Sequence, residues 1–286
     1  MKKNQEEHLE EYLAEHSFLR ETAELHLAME KMVHSLVRPL RFPGEEEVKE
    51  RLSKGVPLLQ QEDLQKKALE AIARHLPKLL GEAGNLPAAP MPLKASAKAM
   101  QACIEALPKE DLLDFLGMVI RQEGKEARAF MEVQQLNAAL ARSLIWQIAE
   151  RLVPAKWKSS DFWEHEAGWE RNYCPVCGRR PLLAQLRKEM EGRSRYLFCG
   201  GCGTMWRYAR MGCAYCGNED LNKMHILEPE GASVMRLDVC DKCHAYLKTY
   251  GEEGEEEIYL RDWATVHLDL LGEEKGLLKK GSPMLE

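Results

Sequence analysis

The chain has 286 residues, of which 45% are hydrophobic and 30% are charged, with a formal net charge of −6 and a pI near 5.9. This length allows about two domains with separate cores, and no apolar run approaches the ~18 residues of a membrane span. The acidic pI disfavours a non-specific nucleic-acid binder, which normally carries a basic face.

The N-terminus, MKKNQEEHLEEYLAEH, contains two lysines but then turns acidic and polar. It therefore lacks the apolar core of a signal peptide. We expect a cytoplasmic protein without membrane insertion, whose cysteines stay reduced. In such a compartment, C-x-x-C pairs bind metal or do redox work more often than they form disulfides.

Residues 1–155 predict a helical domain, because apolar residues recur at three- and four-residue spacing. The helical stretches read from this pattern are 9–36, 64–79, 94–106, 109–122 and 125–152. The last has the clearest stripe and predicts one helix of ~28 residues, about 40 Å long. It stops before Pro154.

Residues 156–172 are polar but contain three tryptophans, and they are predicted as a linker onto a second, cysteine-rich part. Eight of the nine cysteines lie there in four C-x-x-C pairs, which read CPVCG, CGGCG, CAYCG and CDKCH. The paired residues are Cys174, Cys177, Cys199, Cys202, Cys213, Cys216, Cys240 and Cys243. A C-x-x-C turn directs two sulfurs at one metal, so eight cysteines predict two four-cysteine sites.

The cysteine-rich part contains an internal repeat, in which each unit reads knuckle, strand, turn, strand, knuckle. The turns are predicted at 188–194 and 228–233. This plan is typical of a zinc ribbon or a rubredoxin-like module. The units are predicted at 173–212 and 213–250, followed at 251–286 by an acidic loop (252–257) and a last helix, Tyr259 to Leu271.

Each unit carries its own hairpin between two knuckles, with 21 and 23 residues between the paired cysteines. This favours sequential pairing, in which the first two knuckles share one ion and the last two share the other. A cross-braced or a nested arrangement stays open. Spacing does not separate zinc from iron, since both accept four sulfurs. The fold class is therefore α+β, with the helical half expected to fold without the metal modules and the modules expected to need metal.

A catalytic constellation is not found in the sequence. There is no glycine-rich phosphate loop, and four cysteines per ion leave no open coordination position of the kind that catalytic zinc needs. Cys103 lies in an apolar helical stretch and is expected to be a small buried residue, not a ligand. His225 and His244 are alternative ligands that the eight cysteines make unnecessary.

Around the knuckles, the sequence resembles the formate dehydrogenase accessory (formate dehydrogenase formation) proteins. The matching stretches are YCPVCGRRP (173–181), RYLFCGGCGTMWRYARMGCAYCGN (195–218), CDKCHAYLKTY (240–250) and RDWATVHLDLL (261–271), with GVPLL (55–59) as a weaker addition. The resemblance implies a helical N-terminal region, two rubredoxin-type modules, and a cytoplasmic maturation factor, not an enzyme. The implied partner is the catalytic subunit of a formate dehydrogenase.

Aromatic and basic residues that follow the second and fourth knuckles form a candidate partner surface, because such residue types are enriched at interaction hot spots. They are Trp206, Arg207, Arg210, Tyr246 and Lys248. The competing interpretation is that the aromatic residues shield sulfur and the basic residues offset thiolate charge. The alternative functions are rubredoxin-like electron transfer on the dehydrogenase and, third, nucleic-acid binding by a zinc ribbon.

Overall fold

The computed structural model describes residues 2–165, 168–189, 192–229, 234–251 and 257–282. The predicted acidic loop lies outside these ranges except for Glu257, and so do parts of both predicted hairpin turns. Within the described residues, every helix is too short or too polar to cross a membrane.

The N-terminal half is helical, as predicted. Its helices are α1 (Lys2–Glu15), α2 (Arg20–Leu36), α3 (Glu45–Leu52), α4 (Glu62–Asn85), α5 (Met91–Ala106), α6 (Lys109–Arg121), α7 (Gly124–Val133), α8 (Ala138–Leu152) and α9 (Ser160–His165). Helix α4 lies at the centre of this bundle and contacts α2, α5, α6 and α8. The remaining described helix, α10 (Val266–Glu274), begins later than predicted, because 3₁₀ turns occupy Glu257–Leu260 and Asp262–Thr265.

The prediction of a single helix over 125–152 is wrong. The chain leaves the helix after Val133, and Gln135 adopts a left-handed conformation with φ of 55°. Asn137 then begins α8, where its side-chain oxygen accepts a hydrogen bond from Leu140 N at 3.1 Å. This is an N-cap, which satisfies a backbone donor that the new helix leaves free. The break lets Leu136 stay buried while Val133 faces solvent.

In the part of the C-terminal half that the structure describes, the strands form one seven-stranded sheet. Its strands are β1 (Pro181–Glu189), β2 (Gly192–Cys199), β3 (Met205–Tyr208), β4 (Met224–Leu227), β5 (Met235–Cys240), β6 (Ala245–Tyr250) and β7 (Leu278–Lys279). The order is β3-β2-β1-β6-β5-β4, with β7 pairing β6. The predicted hairpins β1–β2 and β4–β5 are both present. They merge into a single sheet because β1 runs parallel to β6, with Leu183 opposite Lys248.

The sheet lies between two apolar layers, since successive side chains of a strand point to opposite faces. One face shares a continuous core with the helical half and contributes Ala184, Leu197, Trp206 and Leu247. The other face packs Leu183, Leu237, Tyr246 and Tyr250 with Leu268 of α10.

The segment 156–172, predicted as a linker, contributes its three tryptophans to the shared core. Trp157, Trp163 and Trp169 are all buried, and α9 packs against β3. Trp163 Nε1 donates to Trp157 O at 3.0 Å, so an indole N–H keeps its hydrogen bond inside the core. The three tryptophans therefore join the two halves and do not separate them.

Candidate metal centres

The eight paired cysteines form two clusters. The first cluster contains Cys174, Cys177, Cys199 and Cys202, and the second contains Cys213, Cys216, Cys240 and Cys243. Within each cluster the four Sγ atoms lie within 4.8 Å of one another. The structure thus brings the knuckles together in the sequential arrangement, and it places neither His225 nor His244 in a cluster.

The sulfur spacing fits a tetrahedral ion. Four sulfurs placed 2.3 Å from a zinc ion would be about 3.8 Å apart. In the second cluster the Sγ atoms of Cys213–Cys243 and Cys216–Cys240 are separated by 3.7 and 3.8 Å. In the first cluster the Sγ atoms of Cys177–Cys199 and Cys174–Cys202 are separated by 3.4 and 3.5 Å. These separations exceed a disulfide bond of about 2.05 Å, and all eight cysteines are free.

Each knuckle ends in a residue with left-handed backbone directly after its second cysteine. These residues are Gly178, Gly203, Gly217 and His244, with φ of 81°, 71°, 69° and 53°. The left-handed residue turns the chain back, so that Gly178 N donates to Cys174 O at 2.8 Å. Glycine adopts this conformation without steric cost. In the fourth knuckle His244 takes this structural position.

Backbone amides point toward the sulfurs. Cys177 N lies 3.5 Å from Cys174 Sγ, Gly201 N lies 3.4 Å from Cys199 Sγ, and Tyr215 N lies 3.3 Å from Cys213 Sγ. Donors directed at sulfur stabilise thiolates and thereby lower the cost of their negative charge. Both clusters therefore fit a divalent or trivalent cation that accepts four thiolates, such as zinc or iron.

Burial works against thiolates in the absence of a cation. It raises the pKa of Cys174 and Cys177 well above the usual thiol range, and it raises the pKa of Cys213 to about 12. Ion binding would thus displace protons from the clusters, and acid would weaken it.

The first cluster is docked on the helical half through the segment 55–60. Leu58 N donates to Pro175 O at 3.0 Å, and Leu59 N donates to Val176 O at 2.7 Å. The amide groups of Gln60 and Gln122 both donate to Cys177 O, each at 3.2 Å. In the sequence, GVPLL at 55–59 shows only a weak resemblance and does not indicate this contact, because main-chain pairing has no residue-type signature.

A buried arginine lies beside the first cluster. Arg179 is 1% exposed, and its guanidinium carbon lies 4.9 Å from the centroid of the Trp146 ring. Gly201 makes room for this stack, since a Cβ there would lie 2.4 Å from Arg179 Cδ. A cation in this position can offset the negative charge of four thiolates. This agrees with the interpretation that basic residues near the knuckles balance the charge of the sulfurs.

Three of the five predicted partner-surface residues are buried, which corrects their placement on a surface. Trp206 is 0% exposed, and its Nε1 donates to Arg171 O at 2.9 Å. Tyr246 and Lys248 lie under the C-terminal segment. Residue type alone does not separate an interface residue from a core residue. Arg207 and Arg210 are exposed and remain candidates.

Lys248 is buried and belongs to a cluster of charges whose other members are half-buried. Its Nζ donates to Asp262 Oδ1 at 2.5 Å and to Asp269 Oδ2 at 3.0 Å, and Lys279 Nζ reaches the same two carboxylates at 2.7 to 2.9 Å. Tyr246 also donates to Asp269 at 2.8 Å. Burial alone would raise the pKa of Asp262, but the two lysines outweigh it and lower the pKa. The cluster attaches the C-terminal segment to strand β6.

Cys103, which was predicted to be a buried non-ligand, is half-buried on α5, and its Sγ lies 3.7 Å from Gln134 Oε1. It lies outside both clusters. Burial raises its pKa, so the thiol stays protonated at neutral pH.

The cysteine-rich half is similar to known proteins. Residues 173–210 match the family model described as FdhE, central domain, and residues 211–285 match FdhE, C-terminal domain. The resemblance to the formate dehydrogenase accessory family is therefore confirmed over residues 173–285.

Individual relatives give the same result. A protein FdhE homolog of Aquifex aeolicus is 35% identical over 120 residues, which cover 41% of this chain and 42% of that protein. Protein FdhE of Escherichia coli O1:K1 / APEC is 34% identical over 140 residues, covering 48% of this chain and 42% of that protein. The chain thus aligns with less than half the length of these relatives.

A solved structure extends the likeness in fold to the helical half. The crystal structure of the FdhE protein from Pseudomonas aeruginosa superposes with a TM-score of 0.60 at 21% sequence identity. The superposition covers 94% of this chain and 88% of that chain. The two chains therefore share a fold.

We predict that metal removal loosens the helical half as well as the sheet, contrary to the expectation that the helical half folds independently. The amides of Leu58 and Leu59 bond to the knuckle that the first cluster would hold in place. Their hydrogen exchange should accelerate after chelation, because exchange reports local opening. The amides of α5, which contacts α4 and α8, are the internal control. Unchanged exchange at Leu58 and Leu59 would contradict this coupling.

A matched pair of glycine variants tests the docked knuckle. Gly178→Ala and Gly217→Ala both place alanine at positive φ, at a cost of about 1–2 kcal/mol. At 178 the new Cβ would also lie 2.4 Å from Gln60 Nε2, whereas at 217 nothing lies within 4 Å. We expect urea unfolding to show Gly178→Ala as less stable than Gly217→Ala by about 1–3 kcal/mol, the cost of overpacking. Equal losses of stability in the two variants would show that the contact with Gln60 adds no steric cost at position 178.

Replacement of Asp262 tests whether the charge cluster around Lys248 stabilises the fold. Asp262→Asn should lower the free energy of unfolding by about 2 kcal/mol at neutral pH, since it removes charged hydrogen bonds to two lysines. Because folding lowers the pKa of the Asp262 carboxyl, the carboxylate stabilises the fold at pH values above its ordinary pKa of 3.8. This stabilisation is lost only as the pH falls below 3.8. The difference from wild type should therefore stay constant between about pH 8 and pH 5.

The control is Glu30→Gln, which breaks the exposed pair between Glu30 and Arg261. An exposed pair contributes about 0–1 kcal/mol. If the Asp262→Asn difference shrinks within that pH window, or equals that of the control, the carboxylate does not have the assigned role.

Proposed function

We propose that this chain is a non-catalytic accessory protein for formate dehydrogenase maturation, which acts in the cytoplasm and binds the catalytic subunit of that enzyme. The observation that carries this proposal is the match of residues 173–285 to both FdhE family models. The closed ligand sets support a non-catalytic role, since four cysteines fill a tetrahedral shell and leave no position for a substrate.

The eight paired cysteines would hold two ions in this function. A zinc ion would supply folding free energy alone, on the order of 10 kcal/mol or more per site. An iron ion would stabilise the fold in the same way and would also provide a one-electron redox couple. The residues around the first cluster serve either ion by covering the sulfurs and holding the knuckles in place.

The shared core favours a rigid body as the client-binding unit. The buried tryptophans and the docked first knuckle join the sheet to the helices. A rigid platform binds a partner with a smaller loss of conformational entropy than two loosely linked modules would.

Exposed arginines beside β3 are the candidate contact with the client. The Arg207 side chain is half exposed and donates to Ser194 Oγ at 3.0 Å, which fixes its direction. Arg210 is exposed, and so is the neighbouring Met211, at 58%. Arginine and methionine are both enriched in protein interfaces.

Electron transfer on the dehydrogenase is the second candidate. It is favoured by one observation, the solvent exposure of Cys216 in the second cluster, because a redox centre exchanges electrons through its exposed side. Metal analysis and an absorption spectrum of anaerobically purified protein distinguish the two candidates. Ferric iron in four thiolates is strongly coloured, whereas zinc is colourless and would exclude the redox function.

The contact surface is tested by Arg207→Ala combined with Arg210→Ala. This double variant should co-purify less of the dehydrogenase catalytic subunit while keeping both metal ions, because the two side chains point away from the core. The matched control is Arg38→Ala with Arg41→Ala, two exposed arginines at the same spacing on the helical half. Full client binding by the first double variant, with its metal content intact, would place the contact elsewhere.

A further inference from the structure

The two clusters differ in the exposure of their sulfurs. In the first cluster every cysteine is at most 1% exposed. In the second cluster Cys213 and Cys240 are buried, Cys243 is half-buried and Cys216 is exposed. Two sites with the same ligand chemistry therefore present very different surfaces to solvent.

The cover of the first cluster comes from the helical half and the segment after it. Gln60 and Gln122 cap the carbonyl of Cys177. After the second knuckle, Thr204 Oγ1 lies 3.1 Å from Cys202 Sγ and donates to Trp157 O at 3.4 Å. A reagent from solvent can reach these sulfurs only after the knuckle separates from the helices.

The third knuckle is covered on its Cys213–Tyr215 side, where Asn172 and Arg180 donate to Tyr215 O at 3.3 and 3.2 Å, but its second cysteine, Cys216, is exposed. Gly217, Glu219 and Asp220 follow Cys216 and are all exposed. The adjoining strand β4 is an edge strand of the sheet and has two exposed residues, His225 and Ile226. The Cys216 side of this cluster therefore faces solvent in the folded protein.

We propose that the two centres have different tasks: the first is a locked structural centre, and the second is an exchange site for a soft divalent cation. Cys216 is the ligand through which exchange begins. This inference concerns the ions themselves and does not depend on the identity of the client.

The difference follows from what each exchange requires. At the first cluster, a competing ligand needs local unfolding, which also breaks the hydrogen bonds to Leu58 and Leu59. At the second cluster, exchange can begin with movement of the exposed Cys216 side chain alone. Its thiolate leaves the ion with its electron pair and takes a proton from water, and an incoming ligand occupies the position that it opens. The other three thiolates then release the ion one after another in the same way, so the exchange involves no change of oxidation state.

Isotope exchange tests the proposal directly. The full chain is loaded with two equivalents of one heavy zinc isotope and then incubated with excess zinc of natural composition. Native mass spectrometry follows the replacement of each ion. We expect one ion to exchange at least about tenfold faster than the other, since only the slower one requires local unfolding. Equal rates for both ions would overturn the proposal.

Cysteine labelling assigns the faster ion. A short pulse of N-ethylmaleimide on the zinc-loaded protein, followed by peptide mapping, should modify Cys216 first. Cys174, Cys177, Cys199 and Cys202 should stay protected until the protein unfolds. Modification of any of these four before Cys216 would reverse the assignment and refute the proposal.

A variant adds a third, independent result. Cys216→Ser should eliminate the faster phase and leave one slowly exchanging ion, whereas Cys103→Ser, outside both clusters, should leave both rates unchanged. If Cys216→Ser keeps the faster phase, Cys216 is not the exchanging ligand. Should this variant fail to fold, the isotope and labelling results on the wild-type chain still decide the question.

Discussion

The docking of the first knuckle on residues 55–60 is the constraint on which the rest of the structure depends. Two main-chain hydrogen bonds and two glutamine amides hold Pro175, Val176 and Cys177 against the helical half. This contact buries the first cluster and makes the helical core continuous with one face of the sheet. It also explains why position 178 has no room for a side chain.

Local signals predicted the site better than they predicted the assembly. The C-x-x-C spacing and the repeat of knuckle and hairpin predicted both cysteine clusters and both hairpins. The parallel pairing of β1 with β6 joins residues 65 positions apart, such as Leu183 and Lys248, and no local pattern encodes it. The sequence does not reveal the break at Gln135, because the apolar stripe continues through it to Leu136, which is buried although it lies between the two helices.

Residue type alone did not show which aromatic and basic residues lie in the core and which lie on the surface. Trp206, Tyr246 and Lys248 have the composition of an interaction surface, yet each is in the interior with its polar atom hydrogen-bonded. Lys248 became interior because two carboxylates more than ten residues away in sequence converge on it. A buried lysine is tolerated only with such partners, and those partners cannot be identified without the fold.

The contact between α1 and the C-terminal segment has a consequence for synthesis on the ribosome. Tyr12 donates to Ala264 O across 252 positions of sequence, and Leu13 packs in the same apolar cluster as Ile258 and Trp263. Helix α1 is therefore synthesised about 250 residues ahead of the surface on which it packs. Until the segment around Ile258 and Trp263 has been synthesised, the apolar face of α1 lacks these contacts, and exposed apolar surface of this kind is prone to aggregation and to chaperone binding.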